Sequence, residues 1–452
     1  MNILVISENF VRGGLETHIN TYYDLINTKK DNVKMYFAFA KYEDNGYLKD
    51  ATVYDNFNFS YNSSIDDFIS DVNRLVSIIK KHKIDVVQVH PFYSLFPAMF
   101  AAKITNTKFI YTYHGLASIN FVQAMNDSLL FSFGIEYGMD KIFCVTENVF
   151  NNFKDFHNDN IVFLPNIINE NSYNEHKISP KKRWALISRL DVDKYPSIIK
   201  FLRILPKLDI DTVDIFGSGA MLEDCKKFIE ENKLDEKVKF MGFKSDMSEE
   251  LDDYTETIGI GRVTLESLCM NYPSILIGQN KVVGVIDSEI YDAVKRVNFV
   301  PFTLNDISVE DLNKSIKEIN NNQLEKYQFR NRIIDDFGTN NIDYYIDEIS
   351  KITPVFFSIF EDVYDKIKNI KDGTQYFYTS REVFDIIFRI ISASSRNLYF
   401  KEIAINYNYI YSILKRQDLI EERIGQIDCS YNKNNIFKKI KKLIKKIFRK
   451  NK

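Results

Sequence analysis

The sequence predicts an α/β protein built from two successive arrays of parallel strands and helices, with a helical region after them. Three observations carry this expectation. Short apolar runs of strand length recur along the first 350 residues, and amphipathic helical stretches lie between most of them. Gly, Pro, Asn and Ser punctuate the joints. From about Thr353 the alternation stops, and aromatic-rich segments follow at helical spacing, Pro354 to Ile370, Ser380 to Ala393 and Asn406 to Ile424.

In the first array Asn2 to Ile6 reads as a buried strand, followed by the loop FVRGGLETH and a helix to about Ile26. Further strands are expected at Val33 to Phe39, Asp85 to Val89, Lys108 to Tyr113, Lys141 to Val145 and Ile161 to Leu164. The clearest helix is Ser64 to His82, with Ile65, Phe68, Ile69, Val72, Leu75, Val76 and Ile79 on one face. Strands that alternate with helices imply a parallel sheet covered on both faces, whose ligands sit at the carboxyl ends of strands. Two histidines fall at such ends, His90 after DVVQV and His114 after FIYTY; a lone histidine there is commonly a hydrogen-bonded structural residue. His18, His82, His157 and His176 lack such a setting, and no pair shows the spacing of a metal site.

A polar run from Asn169 to Lys181 marks the boundary of the second array. Strands are expected at Trp184 to Ser188, Thr212 to Phe216 and Val238 to Met241, with a helix from Met221 to Lys233 and a short polar helix from Asp246 to Tyr254. The stretch TIGIGRVTLESLCMNYPSILIG, Thr257 to Gly278, reads as strand, glycine turn, helix, strand. Gly259 and Gly261 let backbone N–H groups approach a ligand, and the helix start favours an anion, so phosphate is the natural guest. Glu266 then sits about one turn into the helix, within reach of a sugar on that phosphate. The other reading is an ordinary strand-to-helix turn with a solvated Glu266.

Upstream, RLDVDKYP holds Arg189 and Lys194 in one loop, where fixed cations can stabilise the charge of a departing diphosphate. Asp191-Val192-Asp193 and Asp209-Ile210-Asp211 are acid-x-acid patterns. The first lies inside that loop and the second at a turn where Asp is common, so neither reads as a metal site. Gly217-Ser218-Gly219 after a strand lacks the third glycine of a dinucleotide fold, which argues against a nicotinamide dehydrogenase.

Together these motifs resemble the family-four glycosyltransferases. Glu266, Ser267 and Pro273 match the family's Glu, seven residues, Glu pattern, although Ile258 stands where the first glutamate belongs. Arg189-Leu190 and Lys194 match its Gly-Arg-Leu-x-x-x-Lys-Gly segment, with Ser188 and Tyr195 in place of the glycines. Gly13, Gly14 and Glu16 match a Gly-Gly-x-Glu loop, and His114-Gly115 matches a strand-end histidine. Thr146-Glu147-Asn148 and Pro165-Asn166 are similar to segments that close the first domain.

The resemblance implies an α/β GT-B fold, with two Rossmann-like domains facing across a cleft and a C-terminal helical appendage. It implies a retaining, metal-independent transfer with no cofactor beyond a nucleoside-diphosphate sugar. His114, Arg189 and Lys194 would serve catalysis. Gly13, Gly14, Glu16, Gly217, Gly242, Phe243, Gly259, Gly261, Arg262 and Glu266 would bind the donor, with Arg262 either on the diphosphate or over the lost glutamate's place. The expected parts are an acceptor domain over residues 1–170, a nucleotide-sugar domain over 181–335, a helical region over 336–432 and a basic helix over 433–452. The rival expectation is a non-catalytic GT-B partner that binds glycan or a sister enzyme and keeps a decayed donor site.

Composition is that of a globular protein, 45% hydrophobic and 27% charged, and a net charge of −3 argues against a general nucleic-acid binder. The four cysteines form no CxxC pair, which fits a reducing cytoplasm. The start MNILVISENF lacks the basic flank of a secretory signal, and no apolar run approaches the length of a membrane span, so the chain is expected to be neither secreted nor integral. The tail NNIFKKIKKLIKKIFRKNK places Ile436, Phe437, Ile440, Leu443, Ile444, Ile447 and Phe448 on one stripe, with Lys and Arg elsewhere. That pattern suits a helix lying on an anionic membrane; the other readings are a solvated terminal helix packed on the body and a nucleic-acid tail. It predicts a peripheral protein on the cytoplasmic face, with a glycan or lipid-linked acceptor in surface polysaccharide synthesis.

Overall fold

In the computed structural model the described residues are 1–368, apart from 12, 45, 61–62, 91–92, 116–137, 152–159, 176–181, 245–246, 248–249 and 355–358. They all belong to one compact unit, Met1–Asp385; the second unit, Ile386–Lys452, lies outside them. The expected helices beyond Lys368 and the basic tail therefore also lie outside the described residues.

The first sheet holds β1 (Asn2–Phe10), β2 (Lys34–Tyr42), β3 (Thr52–Tyr54), β4 (Val86–Val89), β5 (Lys108–Tyr113), β6 (Lys141–Cys144) and β7 (Ile161–Phe163). They lie in the order β3-β2-β1-β4-β5-β6-β7, every pairing parallel. Its helices are α1 (Gly14–Lys29), α2 (Ile65–His82), α3 (Leu95–Ile104) and α4 (Glu147–Asn151). Ser64 starts α2 as expected: its Oγ accepts from Asp67 N while the Asp67 carboxylate accepts from Ser64 N, two orphan amides satisfied together. In α3 the ammonium of Lys103 and the carboxylate of Asp140 meet at 2.7 Å, almost wholly buried, and Asp140 also accepts from Phe109 N. Such a pair is tolerable inside a core only because each charge has its partner.

The second sheet holds β8 (Arg183–Ile187), β9 (Thr212–Phe216), β10 (Val238–Gly242), β11 (Glu256–Gly259), β12 (Ser274–Gly278) and β13 (Lys281–Val285), in the order β10-β9-β8-β11-β12-β13. Only β12 and β13 pair antiparallel in this sheet. Gln279 and Asn280 both take positive φ between them, which closes a two-residue hairpin. The helices are α5 (Tyr195–Ile204), α6 (Leu222–Glu231), α7 (Arg262–Cys269), α8 (Ser288–Val294), α9 (Val309–Asn320) and α10 (Arg330–Phe337). The short helix expected from Asp246 to Tyr254 does not form at the residues described there, where Leu251 to Tyr254 make turns.

Two helices return to the first sheet. The core around β1 and β2 takes in Ile342, Tyr345, Ile349 and Ile352, so α11 (Asn341–Ser350) packs on that sheet. Tyr345 donates to Gln88 of β4, and Lys141 of β6 pairs with Glu348 at 2.6 Å. In α12 (Ile359–Lys368) the Phe360 ring packs edge-on against Phe100 of α3, and Tyr364 donates to Asn73 of α2.

One core residue breaks the hydrophobic pattern. Glu256, at the start of β11, is fully buried beside its strand partner Trp184, and neither carboxyl oxygen has a hydrogen-bond partner among the described residues. Burial raises its pKa well above the ordinary 4.5, so the folded chain holds a proton there that the unfolded chain releases. Stability therefore falls as pH rises above about 4.5, by up to about 1.4 kcal/mol per unit, until the folded-state pKa is passed. The Glu256→Gln variant is expected to gain stability over the parent between pH 5 and pH 8 in urea unfolding. An equal difference at the two pH values would show that the carboxyl is not held protonated.

Candidate functional site

Strand order reverses where β1 meets β4 and where β8 meets β11. In open α/β sheets ligands gather off the carboxyl ends at such switch points. Gly13, Gly14 and Glu16 follow β1, and His90 and His114 follow β4 and β5. Arg189 and Lys194 follow β8, Gly217 follows β9, Gly242 ends β10 with Phe243 just after it, and Gly259, Gly261, Arg262 and Glu266 follow along β11 and α7.

The loops of the second sheet interlock through their backbones. Ser188 N donates to Phe216 O, Leu190 N to Ser218 O, Met221 N to Leu190 O, and Gly217 N to Gly242 O. Glycine is required for this: a Cβ on Gly217, at φ +155, would meet Ser188 O at 1.9 Å. Ser188 and Tyr195, which replace family glycines, do not have positive φ, so the loop keeps its course. Ser188 turns its Oγ onto Arg189 O at 3.0 Å, and Tyr195 packs on the domain core.

Within that loop the cations are locally neutralised. Arg189 pairs with Asp191 at 2.8 Å and Lys194 with Asp193 at 3.1 Å. Arg189 is largely exposed, its side chain 60% accessible, and it acts across the domains on the carboxylate of Glu16. Glu16 itself folds back over Gly13 and accepts from the backbone of Val11 and its own amide, with burial raising its pKa. Its first role is thus to cap the start of α1.

At α7 the Gly261 N–H is occupied by Phe299 O at 3.1 Å. The first-turn amides of Arg262, Val263 and Thr264 are the donors a helix start leaves over. Phe299 and its neighbour Asn298 both sit at positive φ, 53 and 57, a strained pair that clamps the helix start. Ile258 is fully buried in the domain core, so the place of the missing glutamate is filled by packing.

Arg262 is engaged with groups of the chain itself. It donates to Glu266 at 2.8 Å, to Thr21 Oγ1 of α1 at 2.9 Å and to Ile167 O at 3.3 Å. Its side chain is only 9% exposed, and Tyr173 hydrogen-bonds the same Glu266 carboxylate. The residue read as a ribose anchor is thus held by an arginine that ties the second domain to the first.

The structure also assembles what the sequence left apart. His18 of α1 lies beside His90 and His114, with ring centroids 5.7 and 4.8 Å away, and His90 Nδ1 meets His114 Nε2 at 2.7 Å. His18 Nδ1 meets Asn166 Oδ1 at 2.9 Å, and Asn166 Nδ2 donates to Asn298 Oδ1 of the second domain at 2.8 Å. Burial pushes all three imidazoles down, His114 to about 3, so the cluster is neutral at physiological pH. Nearby, Glu8 at the end of β1 accepts from Tyr93 N, and burial lifts it to about 7. It can hold or release a proton near neutrality. Sequence reading missed both features, although a strand-end carboxylate after a buried β1 was the signal for Glu8.

The family model described as Glycosyltransferase Family 4 matches residues 12–172. Solved structures match over more of the chain. A glycosyltransferase from Rickettsia africae ESF-5 covers 82% of this chain and 99% of its own at 17% identity and a TM-score of 0.57. HepE from Anabaena, solved in complex with UDP and glucose, covers 77% and 98% at 15% identity and 0.58. The lipopolysaccharide outer core galactosyltransferase WaaB covers 77% and 99% at 14% and 0.55. No curated protein matches the sequence.

The fold is GT-B.

In this GT-B chain Arg262 makes a contact between domains that a mutation can isolate. Arg262→Gln is expected to lose about 2–3 kcal/mol of unfolding free energy in urea, and Thr21→Val about 1 kcal/mol. The double variant should lose less than their sum by about 1 kcal/mol. Strict additivity would mean that the bond between Thr21 and Arg262 does not form in solution.

Proposed function

We propose that this chain is a glycosyltransferase that moves a sugar from a nucleoside-diphosphate donor, UDP-linked by analogy with the HepE complex, to a glycan or lipid-linked acceptor, retaining the anomeric configuration. The observation that carries this reading is the gathering of Arg189, Lys194, Gly217, Gly242 and the α7 start on adjacent strand ends of one sheet. A diphosphate there meets two cations and the leftover amides of α7, and Glu266 stands behind them for the ribose. His114 faces the donor sugar from the first domain. The leaving charge is stabilised by protein groups, without a metal.

A second reading, a non-catalytic GT-B partner, draws on the same geometry. Arg262 holds Glu266, Ile258 is buried, and each loop cation already has an aspartate. Calorimetry separates the two. UDP is expected to bind, and Arg189→Ala or Lys194→Ala to weaken it about 10- to 100-fold. Glu266→Ala should weaken UDP but leave inorganic pyrophosphate unchanged, and UDP release with acceptor should survive EDTA. A chain that binds no nucleoside diphosphate is a partner, not an enzyme.

The chain is further proposed to work at the cytoplasmic face of a membrane, docked through residues 433–452 and serving surface polysaccharide synthesis. The support is the basic, one-sided apolar pattern of that tail, each cation adding about 1 kcal/mol near an anionic surface. Full-length protein is expected to pellet with phosphatidylserine vesicles, and protein lacking residues 433–452 to stay in solution. Equal pelleting of both would end the membrane assignment.

A further inference from the structure

We propose that His18, His90 and His114 form a binding site for one divalent transition-metal ion of the zinc class, on the first domain's side of the site. The three residues come from three separate elements, α1 and the segments after β4 and β5. Their ligand nitrogens all lie within 4.8 Å of one another. A four-coordinate zinc ion, at about 2.0–2.1 Å from each nitrogen, spaces its ligands about 3.3 Å apart. The His90–His114 contact of 2.7 Å therefore opens slightly and His18 draws inward, which are side-chain movements and not a refolding.

The chemistry of the cluster suits such an ion. Imidazole is a preferred ligand for zinc, nickel and copper, and no carboxylate in the cluster draws the site toward magnesium or calcium. Asn166 gives its amide to Asn298 and turns its Oδ1 to His18, so His18 Nδ1 carries the proton and Nε2 keeps its lone pair. That outer hydrogen bond is the arrangement in which metal-bound histidines are usually held. Between His90 and His114 one ring donates to the other. On binding, that ring's proton moves to its other nitrogen, so three neutral imidazoles become three ligands and no proton is released.

His18 and His90 are buried, while His114 is partly exposed, so the fourth coordination position opens on the side of His114. An ion seated there takes the His114 lone pair away from the donor sugar. Resting on the function proposed above, this makes zinc an inhibitor of a transfer that itself needs no metal. Metal binding does not rest on that function and is tested separately.

The test uses the full-length, tag-free chain after EDTA treatment and dialysis, titrated with cobalt(II). One equivalent is expected to produce the ligand-field absorption of a four-coordinate nitrogen site, and zinc to bleach it. His18→Ala and His90→Ala should each abolish the band, while His82→Ala should leave it intact. If near-ultraviolet circular dichroism shows that a histidine variant has lost its fold, Asn166→Ala replaces it, with affinity expected to fall about 10- to 100-fold. Absence of the band at one equivalent overturns the proposal. So does a band unchanged in His18→Ala, His90→Ala and Asn166→Ala. Inhibition by zinc without the band would place an inhibitory ion elsewhere, whereas the band without nucleotide binding would keep the metal site and remove the transferase.

Discussion

The site depends on one close approach of backbones, between the Ser188–Leu190 segment and Gly217–Gly219. β8 pairs in parallel with β9 on one side and β11 on the other, so the Arg189 loop leaves the sheet between two neighbours. It can lie flat against the β9 loop only because Gly217 and Gly219 have no Cβ, since carbonyl oxygens occupy that space at 1.9 and 2.4 Å. The two amide-to-carbonyl bonds of Ser188 and Leu190 then fix the height at which Arg189 and Lys194 leave the sheet. A side chain at either glycine would lift the loop and, with it, both cations.

Much of this frame was legible because it is local. Strand runs, helix periodicity, the Ser64 cap and the Gly217 and Gly261 turns are written within a few residues, and most elements lie where the reading put them, although β1 runs on to Phe10, β2 to Tyr42 and α1 to Lys29, three or four residues beyond it. β3 escaped because three residues carry no periodicity, and β13 because its hairpin uses Gln279-Asn280 where a glycine would announce the turn. The relations that set the chemistry were not legible. Arg262 finds Thr21 only through the packing of two domains, and His18 finds Asn166 from the far end of the first domain, at separations the sequence does not show. The same holds for α11, which was expected only as part of a helical region after residue 335 and not as a helix packed against β4 and β6.

The histidine cluster and the Arg262 contact meet at α1. His18 and Thr21 lie on successive turns of that helix, His18 turned to Asn166 and its histidine neighbours, Thr21 to the guanidinium. Arg262 is near enough to disfavour charge on His18. At α1 the first domain thus presents uncharged imidazoles, and the positive charge beside His18 comes from Arg262 of the second domain.

The ion pairs at the site differ in what a ligand must overcome. Arg189–Asp191 and Lys194–Asp193 include well-exposed partners, and such pairs are worth about 0–1 kcal/mol, so a diphosphate that accepts bidentate bonds displaces the aspartates readily. Glu266 is different. Its partner is 9% exposed and is shared with Thr21 and Ile167, so a ribose that takes the carboxylate must loosen an arginine that also joins the domains. On the proposed function, phosphate recognition is then nearly independent of the domain contact, while ribose recognition is coupled to it. By linkage the dependence runs both ways: whatever tightens the Arg262 contact to Thr21 also changes how well Glu266 accepts the nucleoside. Arg262 at the helix start thus links Glu266 to the joining of the two domains, while Ile258 stays in the core.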